Sequence, residues 1–268
     1  MVKTLWEKVS PCPKNCTIST DQHPPEVVPL IVAAGKGLRM KSDTKKQYML
    51  LNGIPVLTHT LIAFSNNEHI KKIILLVPEQ DIDYCQSRIL EPCELTDKVT
   101  LVPGGIERQD SVYNGLKYLK KQFQFEKDPV IMIHDGVRPL VSRDMIQNCI
   151  AHTIKLKACI PGLKISDTVK QVSPKGPTER TGLVEKTMAR DHLYLIQTPQ
   201  CFFLKPLIRA FEYAISTSFT GTDDASVMEH SGQAVHIIQG DKMNIKITTA
   251  EDMALAEYYA SKKRKDIS

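Results

Sequence analysis

The stretch Val27-Val28-Pro29-Leu30-Ile31-Val32-Ala33-Ala34-Gly35-Lys36-Gly37-Leu38-Arg39-Met40, followed by Lys45-Lys46-Gln47-Tyr48, decides how this chain is read. Its first six residues form a short apolar run that suits a buried strand. Ala33, Ala34, Gly35 and Gly37 then make a small-residue loop. Glycine there tolerates positive φ and carries no side chain to obstruct a ligand approaching the backbone. Arg39 and Lys46 place two cations just beyond the bend. A strand, a small-residue loop and two cations make a cradle for a triphosphate and its leaving group. Two better-known phosphate motifs do not fit. Met40 stands where the dinucleotide fingerprint G-x-G-x-x-G needs its last glycine, and neither glycine fits the frame G-x-x-x-x-G-K-[ST]. Taken alone, the loop is equally a tight strand-to-helix turn.

Outward from this loop the chain alternates short strands with helical stretches. Apolar runs at Lys72–Val77, Val99–Val102, Val130–Ile133 and Ala158–Pro161 read as buried strands. Helical periodicity fits Val56–Asn66, Asp81–Leu90, Arg108–Lys121, Arg143–Lys155 and Ala250–Lys262. That alternation predicts an α/β sandwich on a mostly parallel sheet. One segment breaks the rhythm. Ser166–Val172 and Thr181–Lys186 alternate polar and apolar residues around Ser173-Pro174-Lys175-Gly176-Pro177, which predicts a two-stranded arm over about 163–186. An isolated hairpin is marginal in water, so the arm is expected to pack on another subunit.

The 268 residues suffice for one large domain, and 42% hydrophobic with 24% charged residues is a globular composition. A net charge of +5 is too mild to call for nucleic acid, and the basic tail over 263–268 reads as a solvated helix end. Seven scattered cysteines lack zinc spacing and predict a reduced, cytoplasmic protein. No apolar run approaches the roughly 18 residues that span a membrane. Residues 1–26 lack the apolar core of a signal peptide and are expected to be a poorly ordered extension.

Further motifs follow the loop in order: Gly104-Gly105-Ile106-Glu107-Arg108-Gln109-Asp110-Ser111-Val112, His134-Asp135-Gly136-Val137-Arg138-Pro139, Gln197-Thr198-Pro199-Gln200, Thr222-Asp223-Asp224-Ala225-Ser226 and Asn244-Ile245-Lys246-Ile247-Thr248. Together they closely resemble the 2-C-methyl-D-erythritol 4-phosphate cytidylyltransferases of the non-mevalonate isoprenoid pathway, over about residues 27–262. The resemblance implies a Rossmann-like, glycosyltransferase-A-like nucleotidyltransferase fold, a Mg²⁺ (or other divalent cation) requirement, and a homodimer clasped by its β-arms. The substrates it implies are CTP and a polyol phosphate. A fused second domain, known in some relatives, is not expected.

The same resemblance assigns roles. Arg39 and Lys46 match the pair that stabilises charge on the transferring phosphate, and Lys45 is expected to face solvent. Ala33, Ala34, Gly35 and Gly37 line the triphosphate. Gly104, Gly105 and Ser111 match the part that reads cytosine, while Ile106 stands where the family commonly has an acid. Asp135 matches the carboxylate near the ribose and metal and is the candidate Mg²⁺ ligand. Arg138 either binds nearby or braces its loop. Thr168, Arg190 and Lys246 match residues that hold the acceptor phosphate, for which arginine's forked donors are suited. Thr198 and Thr222 match further substrate positions, and Asp223 is either a polyol ligand or a helix cap. His134 is expected to be structural, because a phosphate acceptor with a second pKa near about 6 is already deprotonated and needs no base. The alternative acceptor within the class is ribitol 5-phosphate. Rivals from other classes are a non-catalytic nucleotide-binding protein, which the cations Arg39, Lys46 and Lys246 oppose, and a Rossmann dehydrogenase, which Met40 opposes.

Overall fold

The computed structural model describes residues 24–35, 45–173 and 181–265, the last three by backbone alone. The sequence expectations for Gly37, Arg39, the last three residues of the basic tail and nearly all of the N-terminal extension therefore lie outside the described residues, as does the tip of the arm, while the first three tail residues continue α7.

Strand β1 (Val27–Val32) enters the centre of an eight-stranded sheet. A short ribbon, β2 (Leu50–Leu51) and β3 (Ile54–Pro55), leads into α1 (Val56–Ser65) and β4 (Ile73–Val77). A broken helical stretch follows. It is a 3₁₀ turn at Glu79–Asp81, α2 (Ile82–Cys85), a π-type turn at Gln86–Leu90, and a second 3₁₀ turn at Glu91–Cys93. Then come β5 (Val99–Pro103), α3 (Arg108–Gln122), β6 (Val130–Asp135), α4 (Arg143–Leu156) and β7 (Ala158–Lys164). The arm strands are β8 (Lys170–Ser173) and β9 (Leu183–Thr187). The remainder is β10 (Tyr194–Ile196), β11 (Gln200–Phe203), α5 (Leu204–Ser216), α6 (Asp224–His230), β12 (His236–Gln239) and α7 (Ala250–Lys265).

Parallel pairing joins β5 to β4, β4 to β1, β1 to β6, and β12 to β7, while β11 and β10 run antiparallel. The mostly parallel three-layer sandwich expected from the alternation is what forms. Pro29 lies within central β1, where a missing N–H would normally be costly. Its register explains the tolerance, since pairing with β4 begins only at Leu30. Two buried clusters cover the two sheet faces. One, with Phe64, Ile73 and Ile146, lies under α1 and α4; the other, with Leu116, Phe202 and Phe211, lies under α3 and α5. A third, smaller cluster of Leu51, Val56, Val137, Ile247 and Met253 fastens α7 against the loops at the carboxyl edge.

The strand order reverses around β1: the chain runs outward through β4 and β5, then returns to place β6 on β1's other side. Ligands of open α/β sheets bind at such a switch point, beyond the carboxyl ends of the strands. Here that point lies between Ala33, following β1, and Asp135, ending β6, because Val32 pairs directly with Asp135.

Candidate active site

A pocket of about 140 Å³ opens at this switch point, lined by Ala33, Ala34, Gly35, Lys46, Gly105, Ile106, Arg108, Ser111, Asp135 and Lys246 among others. A roomier hollow of about 370 Å³ lies beside Ser65, Lys71, Asp97 and Lys98, but it sits at the amino ends of β4 and β5, away from the converging loops.

Three loops that follow strands build most of the pocket, with Lys46 added from the 3₁₀ turn Lys46–Tyr48 and Lys246 from the segment before α7. The first follows β1. Gly35 is not in the left-handed region, and a Cβ there would meet nothing within 4 Å. Its conformation therefore does not require glycine; what glycine leaves is open space over the backbone, facing the pocket. The second follows β5. A Cβ on Gly104 would lie 2.4 Å from Ala34 Cβ, and one on Gly105 would lie 2.3 Å from Asp110 Cβ, so both glycines are needed for close packing. Ser111 is buried, accepts from Gly105 N–H at 2.9 Å and donates to Glu107 O at 3.0 Å. Its hydroxyl thus holds the Gly104–Gly105 loop in shape. Ile106 is 84% exposed at the mouth.

The third loop follows β6 and carries the charge. Asp135 is buried and faces Lys246 at 2.9 Å, Arg138 at 3.4 Å and Arg108 at 3.6 Å. Burial pushes its carboxyl up, but these three cations outweigh that and hold it well below the usual carboxylate range. Arg138 is buried and donates to Asn244 O at 2.8 Å, so it braces the Asp135 loop against the segment carrying Lys246. Beyond Lys246, Asp252 accepts from Thr248 and Thr249 N–H at 2.8 and 2.9 Å, and the Asp252 N–H donates to Thr249 Oγ1 at 3.3 Å. This reciprocal box starts α7 and fixes the Lys246 segment.

Sequence reasoning missed Arg108, assigning it only to the start of α3. It lines the pocket, reaches Asp135 and makes a two-point pair with buried Asp224 at 2.9 and 2.6 Å. The signal was present, since Arg108 lies inside a quoted motif, but its partners are distant in sequence. Lys45 corrects another expectation. It is only partly exposed and pairs with Asp81, which lies in the turn just past β4.

The other singled-out residues lie around the pocket without lining it. Thr198 is buried and accepts from Asp135 N–H at 3.2 Å. His134 is fully buried, 3.0 Å from Thr198 Oγ1 and 3.1 Å from Arg138 O, and burial lowers its pKa to about 4, which suits a structural residue. Asp223 caps α6 through Ser226 N–H at 2.9 Å and accepts from Gln200 at 2.7 Å, while Thr222 beside it is exposed. Thr168 and Arg190 are exposed at the base of the arm, where Arg190 donates to Ser166 O.

A switch-point pocket walled by glycines and lined by Lys46, Lys246 and Asp135 is the site of a nucleotidyltransferase. The chain belongs to the 2-C-methyl-D-erythritol 4-phosphate cytidylyltransferase family, whose model matches residues 27–262. Among its relatives, the cytidylyltransferase of Syntrophus aciditrophicus is 40% identical over 238 residues, covering 89% of this chain and 97% of the relative. That of Clostridium beijerinckii is 41% identical over 231 residues, covering 86% and 96%. Among solved structures, the 4-diphosphocytidyl-2C-methyl-D-erythritol synthase of Anaerococcus prevotii superposes with a TM-score of 0.74 at 33% identity, covering 88% of this chain and 96% of that one.

Proposed function

We propose that this chain transfers the cytidylyl group of CTP to 2-C-methyl-D-erythritol 4-phosphate, giving 4-diphosphocytidyl-2-C-methyl-D-erythritol and pyrophosphate. The observation that carries this reading is the meeting of Lys46, Lys246, Asp135 and the Gly105–Ser111 loop in one switch-point pocket. An oxygen of the acceptor phosphate attacks the α-phosphorus of CTP. A new P–O bond forms as the bond to the bridging oxygen breaks, and its electron pair leaves with pyrophosphate. The acceptor is largely dianionic at neutral pH, so no proton has to be removed. Such a displacement depends on positioning and cations rather than covalent catalysis.

In this reading Lys46, with Arg39, stabilises the charge that builds on the α-phosphate. Ala33, Ala34, Gly35 and Gly37 line the triphosphate, and the Gly104–Gly105 backbone reads cytosine. Lys246, Thr168 and Arg190 hold the acceptor phosphate, with Thr198 and Thr222 at further substrate positions, while Asp223 serves as the α6 cap. Asp135 fits Mg²⁺ as a single carboxylate, since this ion commonly takes one or two carboxylates and completes its shell with phosphate oxygens and water. When bound, the ion would neutralise charge on the triphosphate.

The reading extends to a homodimer joined by the arm, in which Thr168 and Arg190 complete the partner's pocket. Its support is an arm whose β9 strand is exposed throughout and which exposes Val172, Leu183 and Val184. A cytoplasmic setting is part of the same reading, supported by the free thiols of Cys85, Cys93, Cys149, Cys159 and Cys201. No described helix is long and apolar enough to cross a membrane.

The test is pyrophosphate release from CTP with 2-C-methyl-D-erythritol 4-phosphate or ribitol 5-phosphate, with Mg²⁺ or with chelator. Turnover is expected with the first acceptor and Mg²⁺, and ATP or GTP should not substitute for CTP. Preference for ribitol 5-phosphate would overturn the acceptor assignment, and parity among nucleotides would overturn the base assignment.

A further inference from the structure

Behind the pocket lies a buried polar cluster to which the reaction gives no task. Lys45 Nζ donates to both carboxylate oxygens of Asp81, at 2.7 and 2.6 Å. The Tyr48 hydroxyl donates to the same carboxylate at 2.8 Å and lies 3.3 Å from Cys85 Sγ. Asp81 is only 9% exposed and sits just past β4, in the 3₁₀ turn Glu79–Asp81. Between Lys45 and Tyr48, Gln47 donates to Ala33 O at 2.9 Å. The residue before Lys46 and the two after it are therefore each tied to the carboxyl ends of β1 and β4. Lys46 itself lines the pocket.

The chemistry of this arrangement is directional. Apolar packing could hold a turn of three residues in place, but a carboxylate collecting donors from both ends of that turn also fixes its rotation. We propose that Asp81 is a positioning residue for the transfer reaction, acting through Lys45 and Tyr48 to hold the turn that aims Lys46 at the α-phosphate. The inference rests on the role given to Lys46 above. A displacement of about 1 Å in such a group can cost on the order of 10²-fold in rate.

The experiment is a double-mutant cycle on the full chain, measuring kcat and KM for CTP by pyrophosphate release. Asp81→Asn should lower kcat by about 10- to 100-fold with KM for CTP changed less than about threefold. Lys46→Ala should lower kcat by about 10²–10³-fold. In the double variant, Asp81→Asn should add less than about threefold, because the cation it positions is gone. Multiplicative losses would overturn the proposal, since Asp81 would then support the fold rather than Lys46; so would a wild-type kcat in Asp81→Asn. If Asp81→Asn fails to fold, Lys45→Met takes its place in the cycle, because the Lys45 side chain is 31% exposed. Lys45→Arg should keep most of the rate, as a guanidinium can engage the same two oxygens. An arginine variant as slow as Lys45→Met would count against the proposal. Wild-type turnover is read first: its absence sinks the proposed function, whereas turnover with multiplicative losses sinks only the role of Asp81.

Discussion

Replacing Arg108 with Met removes the cation that pairs with one of the most buried carboxylates among the described residues. Asp224 is 1% exposed, and both its oxygens accept from Arg108, at 2.9 and 2.6 Å. Removing one member of a buried pair costs about 3–5 kcal/mol, because the other charge is left without compensation. Two features place this case at the lower end. The Arg108 side chain is 29% exposed, so water can enter the gap. Burial also already pushes the Asp224 carboxyl up against the pull of Arg108, so the variant can relieve itself by taking up a proton. A loss of about 3 kcal/mol, at roughly 2–4 °C per kcal/mol for a domain near this size, lowers Tm by about 6–12 °C. Adding Asp224→Asn removes the stranded charge and leaves a neutral amide whose unmet hydrogen bonding costs about 1 kcal/mol, so some two-thirds of the loss should return. Activity should not return, since Asp135 still lacks one of its three cations. The assay is urea unfolding and thermal melting of the wild type, both single variants and the double, with pyrophosphate release on each. A single-variant loss below about 1 kcal/mol, or a double variant no more stable than Arg108→Met, would refute the reasoning that the pair is a buried unit.

Three further outcomes are expected. Gly104→Ala should raise KM for CTP by about tenfold or more and cost about 1–3 kcal/mol, because its Cβ would lie 2.4 Å from Ala34 Cβ and force the two nucleotide loops apart; normal CTP kinetics would contradict that packing. Asp252→Asn should cost about 1 kcal/mol at pH 7 through loss of the α7 cap. Burial raises the Asp252 carboxyl, but hydrogen bonds from Thr248 and Thr249 outweigh it and depress the pKa. The stabilisation is thus present above the ordinary aspartate range and lost as pH falls through the depressed one. Melting curves in which the gap between variant and wild type persists in strong acid would disprove the assignment. Finally, an Arg190→Ala chain mixed with a Lys46→Ala chain should regain turnover, because a dimer that shares residues across its interface then contains one intact site; verified mixed dimers without recovery would remove Arg190 from the partner's pocket.

The sequence by itself determined the kind of fold and the family. Alternating strands and helices are written in local periodicity, so β1, β4, β5, β6, β7 and helices α1, α3, α4 and α7 were legible to within a few residues. The segment from Tyr194 to Gln239 was not, for local reasons. The strands β10, β11 and β12 have three or four residues each, and β11 runs into α5 without a turn residue to mark the change of period. The helix expected at Asp81–Leu90 forms but is irregular, α-helical over Ile82–Cys85 and π-type over Gln86–Leu90, and it ends near Pro92, which has no N–H to continue the ladder.

Ordered motifs were likewise enough to show which residue types gather for nucleotide chemistry. Only the tertiary structure decided how their charges are distributed. Arg108 joins Asp224 to Asp135, Lys45 turns inward to Asp81, Arg138 braces the loop of Lys246, and the Ser111 hydroxyl holds its own loop. Local pattern specifies which face of an element is apolar, and that suffices to build the sheet. The pairing of a buried charge depends on which carboxylate the fold brings within about 3–4 Å, and that distance is set by strand order and loop closure rather than by sequence neighbours.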